Sequence, residues 1–325
     1  MGVVAKSKSS ELRRRCFELQ KLSAQRCLEP SESCSLTPIS AHSIQNANIL
    51  DRLCFEGHVI MPKLKAQGGR MAVSFEPVGR NHATTFTGLC SKHDQAIFDP
   101  IDNGPIDAGS GEHLFLLAYR SVLRELHAAL SGAIKIQLGF QNKVDLALTR
   151  GDTPTREGLV ATEHLMNACD LWAYKGEYDA AYSTRDFHRI QHMRFFEPGR
   201  LPTLAVSALF SLDSIFVGDD VARVALNVYP SGDGAMILFS FLRSHANYIH
   251  PFLETFKAAS GDRLLQMISV RILNTCENFV IAPPFWNGLD DSTRREICDF
   301  YASSLLADAT ALENHHFMLF SPKHP

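Results

Sequence analysis

Five side chains in the first hundred residues are suited to metal chemistry. They are Cys27, Cys34, His42, Cys90 and His93, set in CLEPSESCSLTPISAHSIQ and TFTGLCSKHDQAIF. Zinc takes four nitrogen or sulfur ligands in a tetrahedron, and proteins commonly supply them as two close pairs. Cys90-x-x-His93 is such a pair. It precedes the apolar AIF, so the spacing predicts two ligands presented from the first turn of a helix. Cys27-x6-Cys34 is a wider pair, closed by a loop that holds Pro30 and Ser31. The expected ligand set is Cys27, Cys34, Cys90 and His93 around Zn2+, with His42 competing with Cys27 for the fourth place. Cys16 and Cys54 stand in reserve; each reads better as a packed thiol, since free cysteine behaves as a small apolar residue. Asp94, next to His93, is either a partner to that ligand or a first-turn carboxylate favoured by the helix dipole.

Ligands so far apart in sequence need elements that bring them together. From Cys27 to Phe98 the chain is rich in Gly, Pro, Ser, Cys and His, and its apolar runs are short. HVIMPKL and ATTFTGL read as small strands, with Gly68-Gly69 as a turn or loop tip between them. A segment that small has little core of its own, and a metal supplies what packing cannot. A knuckle pair, a hairpin and a second pair opening a helix make the treble-clef plan. The expected organisation is a basic segment over 1–24, a zinc-binding treble-clef-like module over 25–100, and a helical or mixed α+β domain over 112–310.

The remainder reads mainly as helices with a small antiparallel sheet, so the fold class is α+β. Asp99–Gly111 is Pro/Gly/Asp-rich and reads as a loop. HLFLLAYRSVLRELHAAL carries the 3.6-residue period of a half-buried helix, with Ser110 as its N-cap. Further helices are expected at Glu157–Tyr182 and Arg185–Phe196, the latter ended by Pro198-Gly199. On that reading His188 and His192 share one helix face. TLAVSALFSL, ARVALNVYP and AMILFSFL are β-rich, and PSGDG joins the last two as a hairpin loop. Helices return at Ile249–Ala259, Asp262–Thr275 and Asp291–Leu306, with ENFVIAPPFW as an apolar extended stretch before the last.

The bulk numbers bound the function. A chain of 325 residues with 45% hydrophobic and 21% charged residues is long enough to bury a sizeable core. A net charge of -3 excludes a global polyanion-binding field, so any nucleic-acid site must be a local patch. Lys6, Lys8, Arg13, Arg14, Arg15, Lys21 and Arg26 crowd the N-terminus. They read either as a solvated helix face or as an arm contacting the phosphates of nucleic acid. Five of the eight cysteines precede residue 91, a density better matched to metal binding in a reducing compartment than to disulfides. No apolar signal region or membrane-length run is read, so a cytoplasmic location and no membrane partner are expected.

Other motifs fall short of chemistry. His188-x3-His192 lacks the glutamate of a metalloprotease. Cys276 has no predictable histidine partner and reads as a packed thiol. SGDG at 231–234 is a turn, because no Lys-Ser/Thr follows it.

PISAHSIQ followed by TFTGLCSKHDQAIF resembles a group of uncharacterised bacterial proteins. They share a Cys pair, an Ala/Ser-His-x-Ile motif and an F-x-G-x-C-x-x-H-D-x-x-I/L-F motif. The YRSVLREL helix is similar too, and the likeness covers about residues 25–130. That resemblance implies zinc binding and is compatible with bacterial accessory roles such as phage defence. A more distant resemblance is to HNH endonucleases, also treble clefs, in which a hairpin histidine activates a water. His42 in AHSI fits that role, and Asn46 or Asn48 would position the water at an unusually short spacing. The terminal His-x-x-x-His signature is missing, and Cys90 and His93 stand where it would be. Two functions follow: a zinc module recognising nucleic acid or a protein partner, or an HNH-like metal-dependent endonuclease with His42 as general base.

Overall fold

The protein was analysed as a computed structural model, which describes residues 2–67, 70–200, 203–217, 220–306 and 316–322. The expected turn at Gly68-Gly69 lies outside these. The chain is a mixed helix-and-sheet fold. It opens with helix α1 (Gly2–Gln20), strand β1 (Ala41–His42), and a π-helical turn (Asn46–Leu50) running into the short helix α2 (Asp51–Leu53). Strands β2 (His58–Gln67), β3 (Arg70–Gly79) and β4 (Thr85–Phe86) lead to helices α3 (Ser91–Asp102), α4 (Gly111–Asp145) and α5 (Arg156–Thr184). Four long strands follow: β5 (Ile190–Pro198), β6 (Leu204–Val217), β7 (Asp220–Ser231) and β8 (Gly234–Leu242). The chain then runs through α6 (Ala246–Lys257), α7 (Gly261–Thr275), β9 (Phe279–Ile281), α8 (Pro283–Gly288) and α9 (Asp291–Leu306).

The sheet is larger than expected. Seven strands line up as β3-β2-β9-β6-β7-β8-β5, and every pairing is antiparallel. The short β9 holds the assembly together: Ile281 pairs with Ile60 on one side and Leu204 on the other. The hairpin expected between 58–64 and 83–89 is instead β2 with β3, and it joins this large sheet. Residues 85–86 pair with β1 in a separate two-stranded ribbon.

Successive side chains of a strand point to opposite faces, and both faces of β6–β8 are covered. Leu209, Ala225 and Leu238 face a core shared with α3, α4, α5 and the cysteine segment. Phe210, Leu226 and Phe239 face a second core built with α6, α7 and α9. Strands buried on both sides lose the polar/apolar alternation of a half-exposed sheet. Gly234 is required by this packing, because a Cβ there would meet the Glu197 carbonyl oxygen at 2.3 Å.

One expected helix is a strand. Residues 190–198 pair with β8 from Ile190↔Leu242 to Pro198↔Gly234. Arg185 ends α5 in the left-handed region at φ 57°, which turns the chain out of the helix. The segment FHRIQHMRFF satisfies both periods, but Met193 and Phe195 pack on the second core while His192 and Arg194 point the other way. His188 therefore sits in a 3-10 turn and His192 in a strand, with its Nδ1 2.8 Å from Ser240 Oγ. The two imidazoles do not share a helix face.

Other boundaries shift for local reasons. Ser110 caps α4 by accepting from the His113 amide, as expected, but the helix runs on to Asp145. α1 begins at Gly2, so most of the basic segment expected over 1–24 is helical. α3 extends through Asp102 with Pro100 inside it. Proline has no N–H to give the carbonyl four residues back, and that carbonyl, on Ala96, accepts from Tyr182 at 3.5 Å. Among the described residues no helix is long and apolar enough to cross a membrane.

Candidate metal centre

The first ligand pair is shaped by a turn. Pro30 fixes the φ that the second position of a β-turn needs, and the Glu32 amide closes it on the Glu29 carbonyl at 3.1 Å. Glu32 itself takes φ 56°. Glu29 is only 4% exposed, and its carboxylate accepts from the amides of Ser31 (2.7 Å), Ser33 (2.7 Å) and Cys34 (3.1 Å). A buried carboxylate stays ionised only when it is this well supplied with donors. Burial opposes its charge, but the Ser31 hydroxyl and these amides hold the carboxyl below its ordinary pKa. The loop thus folds back and sets Cys34 beside Cys27.

The second pair is presented by α3. Cys90 is the residue before its first turn, and the Asp94 amide bonds the Cys90 carbonyl at 2.9 Å. Two backbone bonds splice this element to the loop: Leu28 N–H to Gly88 O and Ile39 N–H to Leu89 O, both 2.8 Å. Gly88 lies against the Phe86 ring, where a Cβ would meet it at 2.3 Å.

These elements bring Cys27, Cys34, Cys90 and His93 together, with their ligand atoms all within 4.8 Å of one another. Cys34 Sγ is 3.9 Å from Cys90 Sγ, and His93 Nδ1 is 3.5 Å from Cys27 Sγ and 3.4 Å from Cys90 Sγ. Backbone amides point at two of the sulfurs: Cys90 N–H at Cys27 Sγ (3.3 Å) and Leu36 N–H at Cys34 Sγ (3.4 Å). Burial pushes the Cys27 thiol up to about 11 against the amides that favour its thiolate. Burial opposes ionisation of Cys90 too, but the His93 and Lys92 amides and the neighbouring thiols hold it below its ordinary value. The group could bind a metal ion.

His42 is not among the four. Its Nδ1 lies 2.9 Å from the Ala83 carbonyl. A carbonyl only accepts, so this contact assigns the proton to Nδ1 and leaves the Nε2 lone pair open. Burial, and then the Arg120 and Arg80 charges, lower the pKa of this imidazole and so favour its neutral form. It lines a cavity of about 280 Å³ with Gln45, Asn46, Asp94 and the Asp102–Arg120 ion pair. That pair is bidentate at 2.8 and 2.7 Å, and the guanidinium lies 4.0 Å over the Phe98 ring.

The other sequence candidates lie elsewhere. Cys16 is exposed on α1, where it lines a mainly apolar cavity of about 550 Å³ between α1, α4 and α5. Cys54 bonds the Asp51 carbonyl at 3.4 Å. Two further histidines of the segment are engaged in local structure: His58 faces the Glu56 carbonyl and His82 lies in a 3-10 turn. Asn48 donates to the Gly104 carbonyl. Cys276 is wholly packed, and burial pushes its thiol up to about 12. Sequence reasoning missed Glu29 and His127. Glu29 has a visible signal in the E-P-S-E turn. His127, whose Nε2 is 2.9 Å from Thr87 Oγ1, has none. No family model, curated protein or solved structure matches the chain, so this geometry is what its function must be argued from.

Proposed function

We propose that this chain is a zinc protein whose metal is structural and organises a partner-recognition segment of treble-clef type. The observation that carries the reading is the spacing of the ligand atoms. Zn–S bonds of about 2.3 Å and a Zn–N bond of about 2.0–2.1 Å at tetrahedral angles give edges of about 3.8 Å (S–S) and about 3.5 Å (S–N). The separations of 3.9, 3.5 and 3.4 Å fit those edges. Three thiolates with one imidazole select zinc over the hard, oxygen-seeking dications. Four protein ligands leave no open position for a water, which is the pattern of structural rather than catalytic zinc.

Recognition is the reading for what that zinc serves. The metal fixes a loop and the start of α3 at the surface, and surface loops held by a rigid scaffold are common binding elements. Nucleic acid is the weaker of the two partner classes, because the basic α1 spends much of its charge internally. Arg14 and Arg15 both pair with Glu11, and Lys21 pairs with Glu18. Arg13 remains exposed and is the residue through which a phosphate contact would be made.

Cobalt substitution tests the metal reading. The account expects a thiolate-to-metal absorption band and tetrahedral d–d bands at one Co2+ per chain, abolished in Cys34→Ser. An octahedral spectrum, or an unchanged spectrum in Cys34→Ser, contradicts it. A second reading, an HNH-like endonuclease, draws on the open Nε2 of His42 beside Asn46. Divalent-cation-dependent cleavage of DNA or RNA, lost in His42→Ala with zinc retained, would select that reading.

A further inference from the structure

We propose that the cavity beside the metal centre binds an arginine side chain of a protein partner. This rests on reading the zinc segment as a recognition element, and it names the chemistry that element would recognise.

The cavity offers more open acceptors than open donors: most of its donors are already used, Arg120 Nε being the exception. Gln45 Nε2 donates to the carbonyls of Asp102 (3.0 Å) and Gly104 (3.4 Å). Asn46 Nδ2 donates to Asn81 Oδ1 at 3.3 Å, His42 Nδ1 to Ala83, and both terminal nitrogens of Arg120 to Asp102. Gln45 is only 5% exposed, yet its Oε1 is buried without a partner, and so is Asn46 Oδ1. The His42 Nε2 lone pair and the Asp94 carboxylate, which makes no hydrogen bond or ion pair among the described residues, complete the set. Buried acceptors left unpaired cost about 1–3 kcal/mol each. A ligand rich in N–H groups would recover that cost.

Charge and size narrow the ligand. The walls carry two carboxylates, Asp94 and Asp102, and one guanidinium, Arg120. A monovalent cation balances that excess, whereas a dication would be brought against the Arg120 charge. A volume of about 280 Å³ is far more than a bare ion fills. Ile39, Ala41 and Ala47 supply apolar wall for an alkyl stem. A guanidinium brings five N–H donors in a fixed fork that matches a carboxylate bidentately, whereas an ammonium brings three. Asp94 directly follows the ligand His93 in the first turn of α3, so the metal would hold the turn that carries the anionic contact.

The test is a titration of the full-length, zinc-loaded chain with N-acetylarginine N-methylamide, followed through the ring nitrogens of His42 by NMR. Saturable binding that moves the His42 Nε2 resonance is expected. The capped citrulline analogue, neutral and of the same shape, should bind at least about tenfold more weakly, as loss of a charged hydrogen bond implies. Asp94→Asn should weaken arginine binding by a similar factor with zinc content unchanged. Absence of saturable binding, equal binding of the citrulline compound, or Mn2+ displacing the arginine at His42 would overturn the proposal. Tighter binding of free arginine than of the capped form would overturn the assignment to a protein side chain. Retained zinc with no arginine binding fails this inference alone; arginine binding without zinc supports it and fails the metal reading.

Discussion

The cysteine segment and the second core solve the same problem with different physics. Around the sheet face of β6–β8, Phe210, Leu226 and Phe239 meet α6, α7 and α9 in an apolar layer. Order there comes from area removed from water, about 25 cal/mol per Å². Residues 27–40 have almost no regular structure; the Glu29 turn and two splicing amide bonds hold them, and on the proposed reading a metal bound by the four convergent side chains completes that order. The first kind of order is spread over many residues. The second is concentrated in a few, and it should fail when any one of them is removed.

The largest expected effect is on that concentrated side. Cys90→Ser should release the metal and expose the Leu28 and Ile39 amides to hydrogen exchange, while amides of β7 stay protected. The local opening energy should fall by several kcal/mol, scaled from the roughly 10–16 kcal/mol of structural zinc sites. Uniform protection loss across both regions would erase the contrast. Next in size is Phe239→Ala, a fully buried ring in the other region. It should lower global stability by about 3–5 kcal/mol in denaturant titrations and leave metal content unchanged.

Glu29→Ala sharpens the comparison, since it leaves every ligand in place. Three backbone amides lose a charged acceptor, each bond being worth about 1 kcal/mol or somewhat more. Metal affinity measured by chelator competition should drop roughly 10–100-fold, the usual penalty for groups that orient ligands. An unchanged affinity would mean the turn is not needed to present Cys34.

A pH scan of the metal-free chain reads the sheet side. Burial, and then the Arg194 charge, depress His192 from 6.5 to about 4. The folded state therefore prefers the neutral ring. Its contribution is complete above about pH 6.5 and is lost as pH falls through about 4. His192→Gln should flatten the stability profile in that window, and a profile identical to the parent would refute the assignment. The smallest effect is expected for Cys169→Ser, an exposed thiol outside the cluster, within about 0.5 kcal/mol.

The contrast also explains what the sequence made legible. The clustering of Cys27, Cys34, Cys90 and His93 could be read because metal chemistry restricts residue type and spacing, and Cys90-x-x-His93 before AIF announces its own helix. The sheet was harder. Residues of β6–β8 are buried on both faces and carry no alternation to count, yet their β-rich runs and the PSGDG hairpin loop could be read; what could not be read was how they join β2, β3 and β5 in one sheet. β9 is three residues long, too short to register as a strand, yet it joins β2 to β6. FHRIQHMRFF fits a helical and a strand period alike, and only its pairing with β8 decides between them. The His42 cavity is assembled from residues 39–47, α3 and α4; His42, Gln45 and Asn46 are neighbours in the sequence, and only the fold brings Asp94 and the Asp102–Arg120 pair to them.

Metal analysis of the purified full-length chain tests the central claim most directly. One zinc per chain is predicted, falling to a background level when Cys27, Cys34, Cys90 or His93 is replaced and unchanged when Cys298 is. Zinc-free protein that is fully folded, or zinc retained after loss of Cys90, would contradict it.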